Sequence, residues 1–271
     1  MRKKKAIINI IFSLLLQLVT VVSGFIVPRL FIGTFGSEVN GLVNSISSFV
    51  GYITLLQSGV GSVVKASLYK PLAHKDKNQL CIIAKTADGF FNKIAIATLA
   101  YLGILSFVFP VFIAKNFGWF YTASLVVIVG ISTAAQYFFG ITYQMILEAD
   151  QRSYVYSAIQ IVTVILNTIL VVILLKLNCS VQLVKGVSAM IYVARPIVIG
   201  AYTKKCYLIT KDVECDNSLI KQRWDGFIQA IALFIHQKTD VFVLTIFTTF
   251  TDVSIYSVYV MVTTGLSSLL D

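Results

Sequence analysis

With 57% of its 271 residues hydrophobic and only 13% charged, this chain carries about half the charge that a soluble domain needs to cover its surface. That excludes a soluble globular protein and points to the bilayer as solvent. A net charge of +10 would suit nucleic acid, but the lysines sit beside apolar stretches, where positive charge resists translocation, so no nucleic-acid partner is expected.

The predicted fold is all-α and integral to the membrane, with about eight transmembrane helices. Charge-free runs cover 6–28, 39–64, 94–114, 116–147, 153–175 and 253–270. Most exceed the roughly 18–20 residues that cross hydrocarbon. Two more apolar stretches, 186–203 and 226–249, are interrupted only by Arg195 and by Lys238 and Asp240. The opening Met1-Arg2-Lys3-Lys4-Lys5 imitates a signal peptide, yet its apolar run is too long and lacks a small-x-small cleavage site, so the first span is expected to stay.

Placing the amino terminus in the cytoplasm and alternating puts 1–6, 65–93, 147–153 and 204–225 inside and 28–38, 115–118, 176–185 and 250–253 outside. Sixteen lysines and arginines then lie inside and four (Arg29, Lys115, Lys176, Lys185) outside, the bias of a cytoplasmic amino terminus. Cys81, Cys206, Cys215 and Cys179 have no metal-like spacing. Gly59-Val60-Gly61 ends a span instead of following a strand, so no cofactor loop is expected.

A short echo hints at a repeat: Leu30-x-Ile32-x-Thr34-x-x-Ser37-Glu38-Val39 recurs as Leu244-x-Ile246-x-Thr248-x-x-Thr251-Asp252-Val253. On that basis residues 1–203 form an amino-terminal lobe of six spans, 204–225 a cytoplasmic linker, and 226–271 the two spans of an incomplete second lobe.

Polar residues within the spans follow helical spacing. Span 1 carries Ser13, Gln17, Thr20 and Gly24; span 2 carries Asn40, Asn44, Ser47, Gly51, Thr54 and Ser58; span 5 carries Ser153, Ser157, Gln160, Thr163 and Asn167. Such stripes either pack helices or line a hydrated space. Ionisable groups are more telling, because a charge near the bilayer centre costs at least roughly 2.5–3.5 kcal/mol. Arg195 lies in span 6 beside Pro196, which should disturb that helix, and Arg29 follows Pro28 at the outer end of span 1. Span 7 carries His236, Lys238 and Asp240; in an unbroken helix Lys238 faces away from the other two, so it finds a different partner or the helix unwinds there. The balance of sign favours an anionic ligand. Two histidines and no paired carboxylates leave little for hydrolysis or metal chemistry, so no enzyme is expected, with no catalytic residue, metal or cofactor.

Several segments resemble the Wzx-type polysaccharide flippases: Val27-Pro28-Arg29-Leu30 leading into Gly36-Ser37-Glu38-x-x-Gly41-Leu42, Ser67-Leu68-Tyr69-Lys70-Pro71-Leu72-Ala73, Glu148-Ala149-Asp150-Gln151-Arg152-Ser153-Tyr154-Val155, Thr239-Asp240, and Ser254-Ile255-Tyr256-Ser257-Val258-Tyr259. These belong to the multidrug/oligosaccharidyl-lipid/polysaccharide exporter superfamily with its MATE-like fold of twelve to fourteen spans, so the chain would be truncated within the second lobe. The resemblance implies export of undecaprenyl pyrophosphate-linked glycan from the inner to the outer leaflet of a bacterial cytoplasmic membrane, with glycan-assembly proteins as partners. On that reading Arg29, Arg195, Lys238, Asn44 and Gln17 bind substrate, while Asp240 and His236 couple transport to H+ or Na+. A multidrug/cation antiporter and a membrane-embedded glycan-assembly enzyme are the competing readings. The first would want acids in span 1, which has none, and the second a substantial loop at one membrane face.

Overall fold

The computed structural model describes residues 2–209 and 239–270. Among them there is no strand. The helices are α1 (Arg2–Phe35), α2 (Ser37–Gly51), α3 (Leu55–His74), α4 (Lys77–Val108), α5 (Trp119–Phe139), α6 (Ile141–Ala149), α7 (Ser153–Lys176), α8 (Val181–Tyr207), α9 (residues 239–247) and α10 (Phe250–Leu270). Six helical stretches are long and apolar enough to cross a membrane: Lys4–Phe35, Ser37–Gln57, Lys77–Ile113, Trp119–Phe139, Ser153–Lys176 and Val181–Tyr207. The protein is an all-α membrane protein. The predicted seventh span falls largely outside the described residues, and the predicted eighth is the 21-residue α10.

The breaks between helices follow local chemistry. Gly36, at φ 86°, makes the turn between α1 and α2 that an L side chain rarely adopts. Asp76 caps α4 by accepting from the Gln79 amide at 3.1 Å, directly after left-handed Lys75 ends α3. Ser180 caps α8 in the same way.

Sequence and structure differ in three places. The segment 65–93, expected to be a cytoplasmic loop, is helical apart from Lys75 and Asp76. With its π turn (Phe109–Ile113), α4 is 37 residues long, about 55 Å at 1.5 Å per residue, so it overshoots a hydrocarbon layer of about 30 Å. The predicted span 116–147 is broken at Gly140. The helix expected to be disturbed, α8, instead runs uninterrupted through Pro196. The two sites meet: buried Pro196 lies against Gly140, where an added Cβ would come within 2.5 Å of the Pro196 Cβ, so glycine is what fits at the break in the partner of the proline-bearing helix.

Two apolar cores stack along the bundle. One joins Val60, Leu68, Phe91, Ile146 and Ile199, and the other Phe31, Ile46, Phe109, Leu125 and Val184. Tyr101 touches both and donates to the Phe49 carbonyl at 2.8 Å. Outward-facing apolar residues on α1, α4 and α7, among them Leu14, Ile104 and Val162, are about half or more exposed. A monomer in water does not display such belts, whereas a bilayer demands them.

The predicted inner segments converge on one end. There Asp150, at the α6–α7 turn, takes Arg152 Nε at 2.8 Å, the Tyr207 hydroxyl at 2.6 Å and Lys5 Nζ at 3.5 Å, while Lys5 also donates to the Asp150 carbonyl at 3.0 Å. Burial works against the Arg152 charge, but Tyr207 and Asp150 outweigh it and hold the guanidinium above its usual range. Lys65 pairs with Glu148 at 2.5 Å, and Gln144 donates to the same carboxylate at 2.9 Å. This end is called basic below, and the other, where α8 begins, distal.

The echoed segments share one local feature. Thr34 donates to the Leu30 carbonyl at 2.9 Å and Thr248 to the Leu244 carbonyl at 2.7 Å, each just before a helix break. The offset that relates Leu30 to Leu244 also relates Asn40 to Ser254, and these two are hydrogen-bonded at 2.8 Å where α2 and α10 pack together.

Candidate functional site

Between α1, α2, α5, α7 and α8 lies a cavity of about 440 Å³, within the range of small-ligand sites. Its polar wall comes from Ser47 and Thr54, Thr133 of α5, Asn167 of α7, and Lys185, Ser188 and Tyr192 of α8. No carboxylate lines it. The Lys185 ammonium lies 4.6 Å from the centre of the Phe31 ring and has no ion pair or hydrogen bond to a described residue. Asn167 is 9% exposed, and its Oδ1 is buried without a partner.

Helical spacing explains the arrangement. Lys185, Ser188, Tyr192 and Arg195 recur every three or four residues on α8 and form one stripe. The span 2 stripe divides: Ser47, Gly51 and Thr54 line the cavity, whereas Asn40 and Asn44 turn to α10, with Asn44 Nδ2 donating to Ser257 Oγ at 2.7 Å. Small Gly51 and the 3-10 turn Tyr52–Thr54 leave the room that the cavity occupies.

Of the residues expected to bind substrate, the four that are described are not brought together. Arg29 is exposed on α1, and neither it nor Gln17 lines the cavity. Asn44 serves the α2–α10 contact. Arg195 is partly buried one turn beyond Tyr192, with its guanidinium 5.7 Å from that ring and its Nε buried without a partner. Asp240 is exposed and accepts from the Tyr256 hydroxyl at 2.5 Å, so it does not pair with Arg195. Lys238 and His236 lie outside the described residues.

Sequence reasoning missed Lys185, which it assigned to the external segment 176–185. The signal was present: Ser180 is a helix cap, so α8 starts at Val181 and Lys185 lies a full turn inside it. No family model matches the chain, no curated protein matches it, and no solved structure matches it.

Proposed function

We propose that this protein carries an anionic, hydroxyl-rich lipid head group across a membrane, with undecaprenyl pyrophosphate-linked glycan as the substrate class. The observation that carries this reading is the Lys185 ammonium, on the wall of a cavity that no carboxylate lines; the buried Asn167 Oδ1 of the same wall has no partner and suits a ligand hydroxyl as donor. An uncompensated cation at membrane depth is costly and is relieved by an anion. Serine, threonine and tyrosine hydroxyls around it match the remaining polar surface of a phosphorylated glycan.

A second feature accommodates the tail. On the outer side of the α1–α7 seam, Leu18, Val22, Ile26, Ile165 and Ile169 line an apolar groove of about 290 Å³. The same two helices give Val27 and Asn167 to the cavity. A prenyl chain in the groove stays in hydrocarbon while its head group is sheltered within the bundle. The Lys/Arg bias favours a cytoplasmic basic end, and the direction of net transport comes from an ion gradient or from consumption of substrate outside. In this scheme Asp240, with His236, senses the coupling cation.

The same cavity disfavours a cationic cargo. Farnesyl diphosphate, farnesol and farnesylamine present one tail with three head groups, and their binding to the purified full chain in lipid nanodiscs separates the readings. The diphosphate should bind at least about tenfold more tightly than either other, one charge-assisted contact being worth about 1.4 kcal/mol or more. Equal affinities, or preference for the amine, would remove the anionic reading.

A further inference from the structure

We infer that α8 carries a second anion station at Arg195, kept apart from the Lys185 cavity by the ring of Tyr192. The inference rests on the head-group reading above and adds a second stop for the phosphate within the bundle. Tyr192 has two roles in the structure: it is part of the cavity wall, and it is the ring beside the Arg195 guanidinium, 5.7 Å away. Arg195 itself does not line the cavity. Ten residues separate it from Lys185, about 15 Å along the helix toward the basic end.

The surroundings of Arg195 suit an incoming anion. Its Nε is buried with no hydrogen-bond partner, and it forms no ion pair with a described residue. Arg195 and the Glu148 carboxylate both act electrostatically on Tyr156. Glu148 is already engaged by Lys65 at 2.5 Å and by Gln144 at 2.9 Å. The Tyr156 hydroxyl accepts from Gln160 Nε2 at 2.9 Å, which leaves its own proton to donate. A guanidinium fork matches two oxygens of a phosphate, and the Tyr156 hydroxyl, which feels the Arg195 charge, has a proton to offer the same anion.

Both cations of the stripe thus rest on aromatic rings, Lys185 on Phe31 and Arg195 on Tyr192. A ring holds a cation in place without neutralising it, and it yields to a charge-assisted hydrogen bond. A head group passing between the basic end and the cavity meets Arg195 and Lys185 in turn, and the Tyr192 ring must swing aside between them.

Removing that ring should merge the two stations. In the full chain, Tyr192→Ala is expected to tighten farnesyl diphosphate binding about tenfold, because one ligand then reaches both cations. The double variant Tyr192→Ala/Arg195→Met should lose that gain. Tyr192→Val, which keeps an apolar wall of smaller size, repeats the test where alanine perturbs folding. Unchanged or weaker binding in both Tyr192 variants, or a gain that persists without Arg195, would overturn the second station while leaving the Lys185 reading intact. Absence of any diphosphate binding by the unaltered protein would instead defeat the head-group reading, and the second station with it.

Discussion

Replacing Gly41 by leucine should detach α10 from α2. A Cβ at position 41 would fall inside the van der Waals shell of the Phe250 carbonyl oxygen, which is backbone and cannot swing away. Helices in a membrane associate through close packing and interhelical hydrogen bonds, without a hydrophobic drive between them, so a lost approach is not recovered elsewhere. The contacts at stake are Asn40–Ser254 at 2.8 Å and Asn44–Ser257 at 2.7 Å on α10, with Ser45–Thr245 at 2.9 Å on the adjoining α9. At about 1 kcal/mol each, added to about 1–3 kcal/mol for overpacking, the expected loss is about 4–6 kcal/mol. Disulfide trapping reads it directly: Asn44→Cys with Ser257→Cys should cross-link in the parent and fail to do so when Gly41→Leu is added. Gly33→Ala is the control, since nothing lies within 4 Å of a Cβ there, and it should leave the cross-link intact. Cross-linking that survives Gly41→Leu would mean that α2 and α10 do not meet as described.

Lys185→Met should weaken binding and strengthen the fold together. Hydrogen bonds to a charged group contribute about 1.5–3 kcal/mol, so farnesyl diphosphate affinity should fall by about ten- to a hundredfold. Among the described residues the same ammonium rests on the Phe31 ring and has no ion pair. An unpaired charge costs roughly 2.5–3.5 kcal/mol at the bilayer centre; Lys185, one turn inside α8, bears part of that cost, which methionine of similar length removes. Thermal unfolding in detergent without ligand should therefore shift upward. Lys185→Arg should keep most of the affinity and little of the added stability. A methionine variant that binds normally would make Lys185 a structural residue, and one that binds poorly and also unfolds early would make it a packing residue.

Much of the fold was legible because the bilayer writes a coarse code. Runs without charge, bounded by Lys4–Lys5, Lys65, Arg152 and Lys204–Lys205, mark where helices can lie in hydrocarbon, and the basic flanks meet at one end. Helix breaks were harder to read. Pro196 was visible, but its close approach to Gly140 at the α5–α6 break is a contact that only tertiary packing brings about. The candidate site was half legible. Ser47, Thr54 and Asn167 belong to stripes that helical spacing exposes. Lys185 did not stand out, because a lysine close to a predicted span edge reads as a topological flank until the Ser180 cap is noticed. Nor could spacing alone divide the span 2 stripe between the cavity and α10: Asn44 and Ser47 lie one turn apart and differ only in which helix each faces.

Transport itself is the central claim, and it is measured most directly with the full chain in proteoliposomes. A fluorescent prenyl diphosphate, placed in one leaflet and quenched from outside by a reagent that does not cross the membrane, reports movement between leaflets. The account predicts that it equilibrates at least about tenfold faster than in protein-free liposomes, that Lys185→Met removes most of the acceleration, and that the matching prenol shows no dependence on Lys185. Equal rates with and without protein, or acceleration that ignores Lys185, would contradict it.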